Sequence, residues 1–487
     1  MVAALVGFQL AAGLLFRGAW ELRSQSAVLL ALIAGLTLWL CWAILRGRVP
    51  LPSSASSRWA AALALLSLSS AWLSPVRVYA LPAWAAFAAG LWLIPAATML
   101  SAADKARLEQ VLRGAAWALV LLAVFQRAHG VERPPSSLLN QNVFAGAILL
   151  LLPVAVRRRD ALLAAGLLVC LWWTRSVGGW LGLSAALVLH RRSVGALAYW
   201  AGAVAGFAGL VAAYSKLQSP EVLHRVAWWA AAWRMAADAP WRGLGPGAYA
   251  YALPAYAASA PALNSLYAHQ HFLETAAERG WPYLFVWLGG LALVLRRADA
   301  SRRFGPVAAL AHGCVDYALS VPGVFWLFCA SVAWALPPSE EAAPVSAGRK
   351  PAAAATAMLA GCLLAYWVAG NWSADRLRAR VFEPASALAP DEADRLLAAS
   401  EEIRPHPEAA RGRAELALAA ASAAGERAPL YLSAAAEDLE RATALDPYRA
   451  SNWSLLADAD RRLGRADAAA AARAGAARNA PPRAEEP

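Results

Sequence analysis

Charge is what this chain has least of. Only 16% of its 487 residues are Asp, Glu, Lys or Arg, against roughly 25% in an ordinary soluble domain. With 60% hydrophobic residues, that balance excludes a typical globular enzyme and a disordered protein. Cysteine is equally sparse. Cys41, Cys170, Cys314, Cys329 and Cys362 all lie in apolar stretches, with no CxxC and no Cys/His metal spacing, so they read as small buried hydrophobes. There is no Walker loop, dinucleotide fingerprint, HExxH or GxSxG. Soluble-cofactor chemistry is therefore not expected, and no cofactor or metal is assigned. The N-terminus also lacks a basic segment and a cleavage site, so it reads as a first span rather than a removed signal.

What the chain has instead is apolar length. Hydrophobic blocks run at about 2–16, 27–45, 59–73, 78–100, 110–127, 141–156, 161–174, 177–190, 194–214, 281–295, 304–319, 321–336 and 353–371. A helix rising 1.5 Å per residue needs about 20 such residues to cross about 30 Å of hydrocarbon. These blocks predict an all-α polytopic membrane bundle of about 12–13 spans over residues 1–372.

The composition breaks near Asp375. Of 44 basic and 32 acidic residues, 16 and 19 fall from Asp375 onward, leaving that tail near −3 and the rest near +15. Residues 373–487 are therefore expected to form a separate helical domain. The basic excess belongs to the membrane part and forms no stripe on a soluble module, which argues against nucleic acid and for loop charge near a bilayer and an anionic partner.

That charge alternates. Arg46/Arg48, Lys105/Arg107/Arg113, Arg157/Arg158/Arg159, Arg191/Arg192, Arg296/Arg297/Arg302/Arg303 and Arg349/Lys350 fall in every second connector. The positive-inside rule puts those loops and the N-terminus in the cytoplasm and the tail outside. Three features then face outward: the loop 129–142, the turn 174–179 and the long connector at about 215–280. In the connector, residues 224–241 space Val226, Trp229, Trp233 and Ala237 as an amphipathic helix suited to the headgroup level. GLGPG (243–247) breaks it. A second helix is expected at about 266–279, ending at Gly280.

The tail is Ala-rich and helical by propensity. Pro447 and Pro481 stand thirty-four apart, with Trp453, Leu456, Ala457, Leu463, Gly464 and Ala468 between them. This resembles a tetratricopeptide repeat, in which a glycine separates two helices; a plain helical hairpin is the simpler alternative. One or two repeats would lean on the membrane domain or on a protein partner.

The outward-facing polar groups are Arg175, Arg225, Arg234, Arg242, His224, His269 and His271. Guanidinium forks onto phosphate oxygens, and a neutral imidazole takes a proton from a hydroxyl. Together they suit transfer from a phosphate-ester donor to an alcohol. The same residues would also serve as anchors on lipid phosphates. Asn140 and Asn142 read as caps of the span that starts there, with substrate contact as the other option. His312 and Asp316, four apart in the outer half of a span, are either a structural polar pair or a proton or substrate site.

Five blocks carry a family resemblance: SLLNQNVFAGAILLLLP (137–153), TRSVGGWLG (174–182), RVAWWAAAWRMAADAPWRGLGPGAY (225–249), AHQHFLETAAERGWPYL (268–284) and AHGCVDYALSVPG (311–323). In this order, around one large outer loop, they resemble the O-antigen ligase/polymerase family of bacterial membrane glycosyltransferases. The resemblance implies a GT-C-like membrane fold in the inner membrane. It also implies extracytoplasmic transfer of a glycan from an undecaprenyl-diphosphate carrier to a glycolipid, another glycan or a protein hydroxyl. By motif position His269 maps to the catalytic histidine, with His271 second, and Arg225 to the loop arginine. Val177 occupies the slot of the turn arginine; Arg175, two residues earlier, or else Arg242 or Arg234, would then make that contact. The family reading admits ligase, polymerase and protein O-glycosylation. A membrane scaffold with a recruiting tail and a lipid-linked glycan transporter are the rivals outside it.

Overall fold

The computed structural model describes residues 1–50, 55–190, 199–200, 202–204, 206, 211, 220–257, 265–334, 336, 342–384 and 388–480. Hydrocarbon offers the backbone no hydrogen bonds, so apolar segments there must satisfy their own N–H and C=O groups as helices. Leu22–Leu45, Arg77–Thr98, Ala102–Ala128 and Ala347–Phe382 are long and apolar enough to cross a membrane. Val2–Leu15, Gln141–Arg157, Ala161–Thr174, Val177–Leu189 and Pro322–Trp334 are shorter apolar helices. The chain is an all-α polytopic membrane protein. A three-residue antiparallel pair, Arg48–Pro50 with Ala342–Pro344, joins two connectors. The block expected at 194–214 lies largely outside the described residues, as do Arg191 and Arg192.

Leu162, Trp172, Phe285 and Leu293 are exposed on the bundle, as helices packed by van der Waals contact within lipid require. The interior holds large buried rings, among them Phe144, Tyr249, Tyr283, Trp287 and Trp326.

Contacts sort the connectors to two ends. At one end Arg113 pairs with Asp160 at 2.7 Å, Arg157 with Glu109 at 3.0 Å, and Arg303 Nε donates to His190 Nε2 at 3.0 Å. These are the basic loops of the alternation. At the other end Ser137 Oγ donates to the Leu14 carbonyl at 2.6 Å, Trp20 Nε1 donates to the Tyr267 hydroxyl at 2.6 Å, and Arg175 meets Glu132 at 3.6 Å. Four of the six basic connectors thus meet one another in space.

The long connector departs from expectation in two places. Its first helix is Pro220–Asp238, and a short one, Tyr249–Tyr256, follows GLGPG. The second long helix starts at His271 behind the N-cap Gln270, whose side chain accepts from Leu273 N. It does not end at Gly280 but runs on to Arg297, bent there at φ +81 and ψ 164. The span proper begins beyond the bend, where Pro282 suits a first helical turn. The bend is set by GLGPG: Leu244 N donates to the Ala277 carbonyl at 2.9 Å, Gly245 N to Glu278 O at 2.8 Å and Trp281 N to Pro240 O at 2.8 Å. A Cβ on Gly243 would fall 2.2 Å from the Glu278 carbonyl carbon. Glycine is needed because two backbones touch, as well as for its positive φ.

A third departure concerns His312 and Asp316. The helix Ala300–Gly313 stops before Asp316, which sits in the turn leading to a 3-10 segment at Ala318–Ser320. The two residues are therefore not on one helix face, although their side chains stay within 4.0 Å.

The helix Lys350–Phe382 continues without interruption from the bundle into the tail. There Pro407–Ala423 pairs with Ala428–Leu445, and Ala450–Arg462 with Ala466–Asn479. Gly464, at φ +76, turns the last hairpin, and Gly475 packs under the Trp453 ring. Pro481 lies outside the described residues. The tail rests on the bundle: His406 meets Tyr79 edge-on at 5.1 Å, and Tyr448 lies 6.3 Å from Tyr256.

Candidate functional site

Three connectors meet at Asp316, a carboxylate only 2% exposed. Its Oδ1 accepts the Tyr317 backbone N–H at 2.8 Å. From the helix Pro220–Asp238, Arg225 places Nη2 3.8 Å from Asp316 Oδ2, while Nη1 donates to the Val315 carbonyl at 2.7 Å. From the loop before His271, His269 brings Nδ1 to 3.7 Å from Asp316 Oδ1. His312 closes the group at 4.0 Å, its ring 1% exposed.

The imidazole of His269 is held as a plate. Trp228 stacks on it at 4.9 Å and Tyr317 meets its edge at 4.6 Å. Its backbone is left-handed, φ 55, and Trp229 Nε1 donates to its carbonyl at 3.3 Å. A positive φ on a histidine is costly and persists only where neighbours impose it. Burial, and then the charge of Arg225, push the His269 pKa down to about 3. The ring is therefore neutral near pH 7, and its Nδ1 is buried without a hydrogen-bond partner among the described residues.

His312 owes its place to glycine. Cβ atoms built on Gly178, Gly182 and Gly146 would fall 2.8, 3.2 and 3.2 Å from its side chain. Two of the motif blocks, the turn 174–182 and the helix start near 140, thus make one cradle behind Asp316.

The remaining sequence candidates divide. Asn140 is the N-cap of Gln141–Arg157, accepting from Asn142 N at 2.7 Å; its side chain serves the backbone, and neither asparagine is recorded against Asp316. Arg175, in the left-handed region at φ 52, pairs with Glu132 and is 56% exposed. Arg242 is exposed, just before GLGPG. Arg234 lies further along the Arg225 helix, with Nε and Nη2 buried and unpartnered among the described residues. His271 is buried and faces Ser320 Oγ at 3.3 Å.

Sequence reasoning missed Trp228, Tyr267 and Tyr317, and the buried carboxylates Glu274 and Glu278. Tyr267 stacks on Tyr317 at 4.4 Å, and Glu274 Oε2 accepts Ala268 N at 2.7 Å, bracing the loop that carries His269. Two acids four apart on one helix beside AHQH were the available signal.

Residues 143–288 match the family model described as O-antigen ligase. The match spans less than a third of the chain. A match to this family supports, at family level only, glycan transfer of the ligase/polymerase kind. No curated protein matches the chain. The O-antigen ligase match includes Arg225 and His269 and stops short of His312 and Asp316. The carboxylate on which both residues converge is therefore supplied by the helix end that follows the matched segment.

Proposed function

We propose that this protein transfers a glycan, outside the cytoplasm, from an undecaprenyl-diphosphate-linked donor to an acceptor hydroxyl. The acceptor is a glycolipid, another glycan or a protein. The observation that carries this reading is the convergence of Arg225 and a neutral His269 on the buried Asp316. The segregation of basic loops to the opposite end supports a bacterial inner-membrane protein with this site outside.

The polyprenyl chain enters between helices, and its diphosphate stops at headgroup depth beside Arg225. Asp316 faces Nδ1 of His269, which leaves Nε2 to take the proton of the acceptor hydroxyl. The acceptor oxygen attacks the anomeric carbon from the face opposite the diphosphate. The carbon–oxygen bond to phosphate breaks, configuration inverts, and undecaprenyl diphosphate leaves with the added negative charge. Arg225 meets that charge as it develops, in the role a metal plays elsewhere. Burial first, and then the same guanidinium, hold His269 at low basicity in the free protein. A diphosphate that neutralises Arg225 offsets the smaller of these two effects. Of the remaining sequence candidates, Arg234, His271 and His312 are the next to test as substrate contacts; Arg175, Arg242, Asn140 and Asn142 rank below them. The tail hairpins read as a tetratricopeptide-like module open to a protein partner.

A scaffold needs no such convergence, and a transporter needs charged groups deep in several spans. The test is transfer by the full-length protein reconstituted with lipid-linked donor. His269→Ala and Arg225→Ala should each abolish product while inserting normally. Undiminished transfer by either variant removes that residue, and a divalent-metal requirement removes Arg225 as charge carrier. Gene deletion then separates ligase from polymerase: long unattached chains on the carrier against single repeat units.

A further inference from the structure

A cavity of about 720 Å³ lies where the tail meets the bundle. That size is within the range of about 300–1,000 Å³ seen for ligand sites. It is separate from the Asp316 cluster but adjoins it. Tyr267 lines the cavity and stacks on Tyr317, which packs edge-on against His269. Along one wall run Glu274 and Glu278, both buried, on the helix that follows His269. Trp72 stands at the bundle side, with the Arg77 guanidinium 5.3 Å from its ring centroid. The tail closes the space with Arg404 and Glu408.

This lining mixes flat aromatic faces with carboxylates and guanidinium groups. A lipid chain would set hydrocarbon against these charged groups and cost them their remaining hydration, although Glu278 keeps its 3.0 Å pair with Arg279. A sugar matches both kinds of group: its C–H faces pack on rings, while its hydroxyls donate to carboxylates and accept from guanidinium.

We propose that the cavity is a carbohydrate-binding chamber and that the tail completes it, with Arg404 and Glu408 opposite Trp72 and Glu274. An oligosaccharide held there presents its reacting end to His269 past Tyr267. The tail is then part of the substrate site and not only a platform for a partner. The inference rests on the glycan-transfer reading and names where its sugar is held. Either the acceptor or the donor's glycan has the required chemistry.

The test uses full-length protein in phospholipid nanodiscs. The probe is the oligosaccharide released by mild acid from the producing bacterium's surface polysaccharide, with binding read by calorimetry. Wild type should bind saturably. Arg404→Ala, Glu408→Gln and Trp72→Ala should weaken binding about tenfold each, the usual effect of losing one central contact, and His269→Ala should bind as wild type. Trp72→Phe, which keeps a ring and is the milder change, should retain most of the affinity. In turnover the cavity variants should raise KM with kcat little changed; a rise for acceptor assigns the chamber to acceptor sugar, a rise for donor to the donor's glycan. No binding by wild type, wild-type affinity in all three cavity variants, or equal loss in His269→Ala overturns the chamber. Binding that depends on these residues in a protein that transfers no glycan retains the chamber and removes the catalytic reading.

Discussion

Gly178 leaves the room that the His312 imidazole occupies: a Cβ at position 178 would lie 2.8 Å from its Cδ2. Gly182, one turn on, has the same relation to the His312 Cβ at 3.2 Å. The turn 174–182 thus shapes the site through what its glycines omit. Gly178→Val should force the imidazole off its place and cost about 1–3 kcal/mol, as overpacking does. A lowered melting temperature with reduced transfer is the expected result; an unchanged melting curve would show that the ring has space to move.

Gly243 and Gly464 make a matched pair of controls. Both have positive φ, +66 and +76, but Gly243 faces the Glu278 backbone and Gly464 faces open space. Gly464→Ala should cost about 1–2 kcal/mol, the left-handed backbone alone. Gly243→Ala adds a backbone clash and should prevent accumulation of folded protein. Fluorescence-detected size exclusion of both variants separates the outcomes.

Asp316 touches both Arg225 and His269, so its charge is the common element. Asp316→Asn keeps the shape and removes the charge. Transfer should fall about 10²–10⁴-fold, the span seen when a histidine loses its orienting carboxylate or its base function. Equal kcat/KM in the variant would reduce Asp316 to packing.

Acid should loosen the protein. Burial, with Arg225, sets His269 at about 3, and burial, with Arg378 and Arg449, sets His406 at about 2. Both lie below the unfolded value of about 6.5. Above that value neither state binds the proton, so stability is flat. As pH falls below it, the unfolded chain binds protons that the folded one refuses, and stability declines by up to about 1.4 kcal/mol per pH unit per group. His406→Gln should flatten part of that decline, read from melting temperatures between pH 7 and 4. An unaltered slope would mean that His406 titrates freely.

Arg175 is exposed and paired only with Glu132 at 3.6 Å among the described contacts. Exposed pairs contribute little. Arg175→Ala should leave transfer within about twofold of wild type, within the spread of surface substitutions. A large loss would show that Arg175 takes over the contact of the arginine whose slot Val177 fills.

The fold was largely legible because hydrocarbon imposes one rule on the backbone. Blocks such as 27–45 and 110–127 announce themselves by apolar length, and the loops by alternating arginine. Where a backbone satisfied itself in another way, reading failed. Gly280 looked like a helix end because nothing in HFLETAAERG reveals that GLGPG, more than thirty residues upstream, lies against it. His312 and Asp316 looked like one helix face because the early stop at Gly313 has no proline or glycine run to mark it.

By itself the sequence determined the class of the protein, the two-ended sorting of its loops and the presence of Arg225 and His269 in motif blocks. These depend on local composition, which acts over the few residues that cross or leave the membrane. Only the tertiary structure decided that Asp316 joins them, that Arg175 and Arg242 stand exposed and that the tail roofs a cavity. Those relations arise between residues far apart in the chain. They are set by which backbones can approach closely, at Gly178, Gly182 and Gly243, and no periodicity records that.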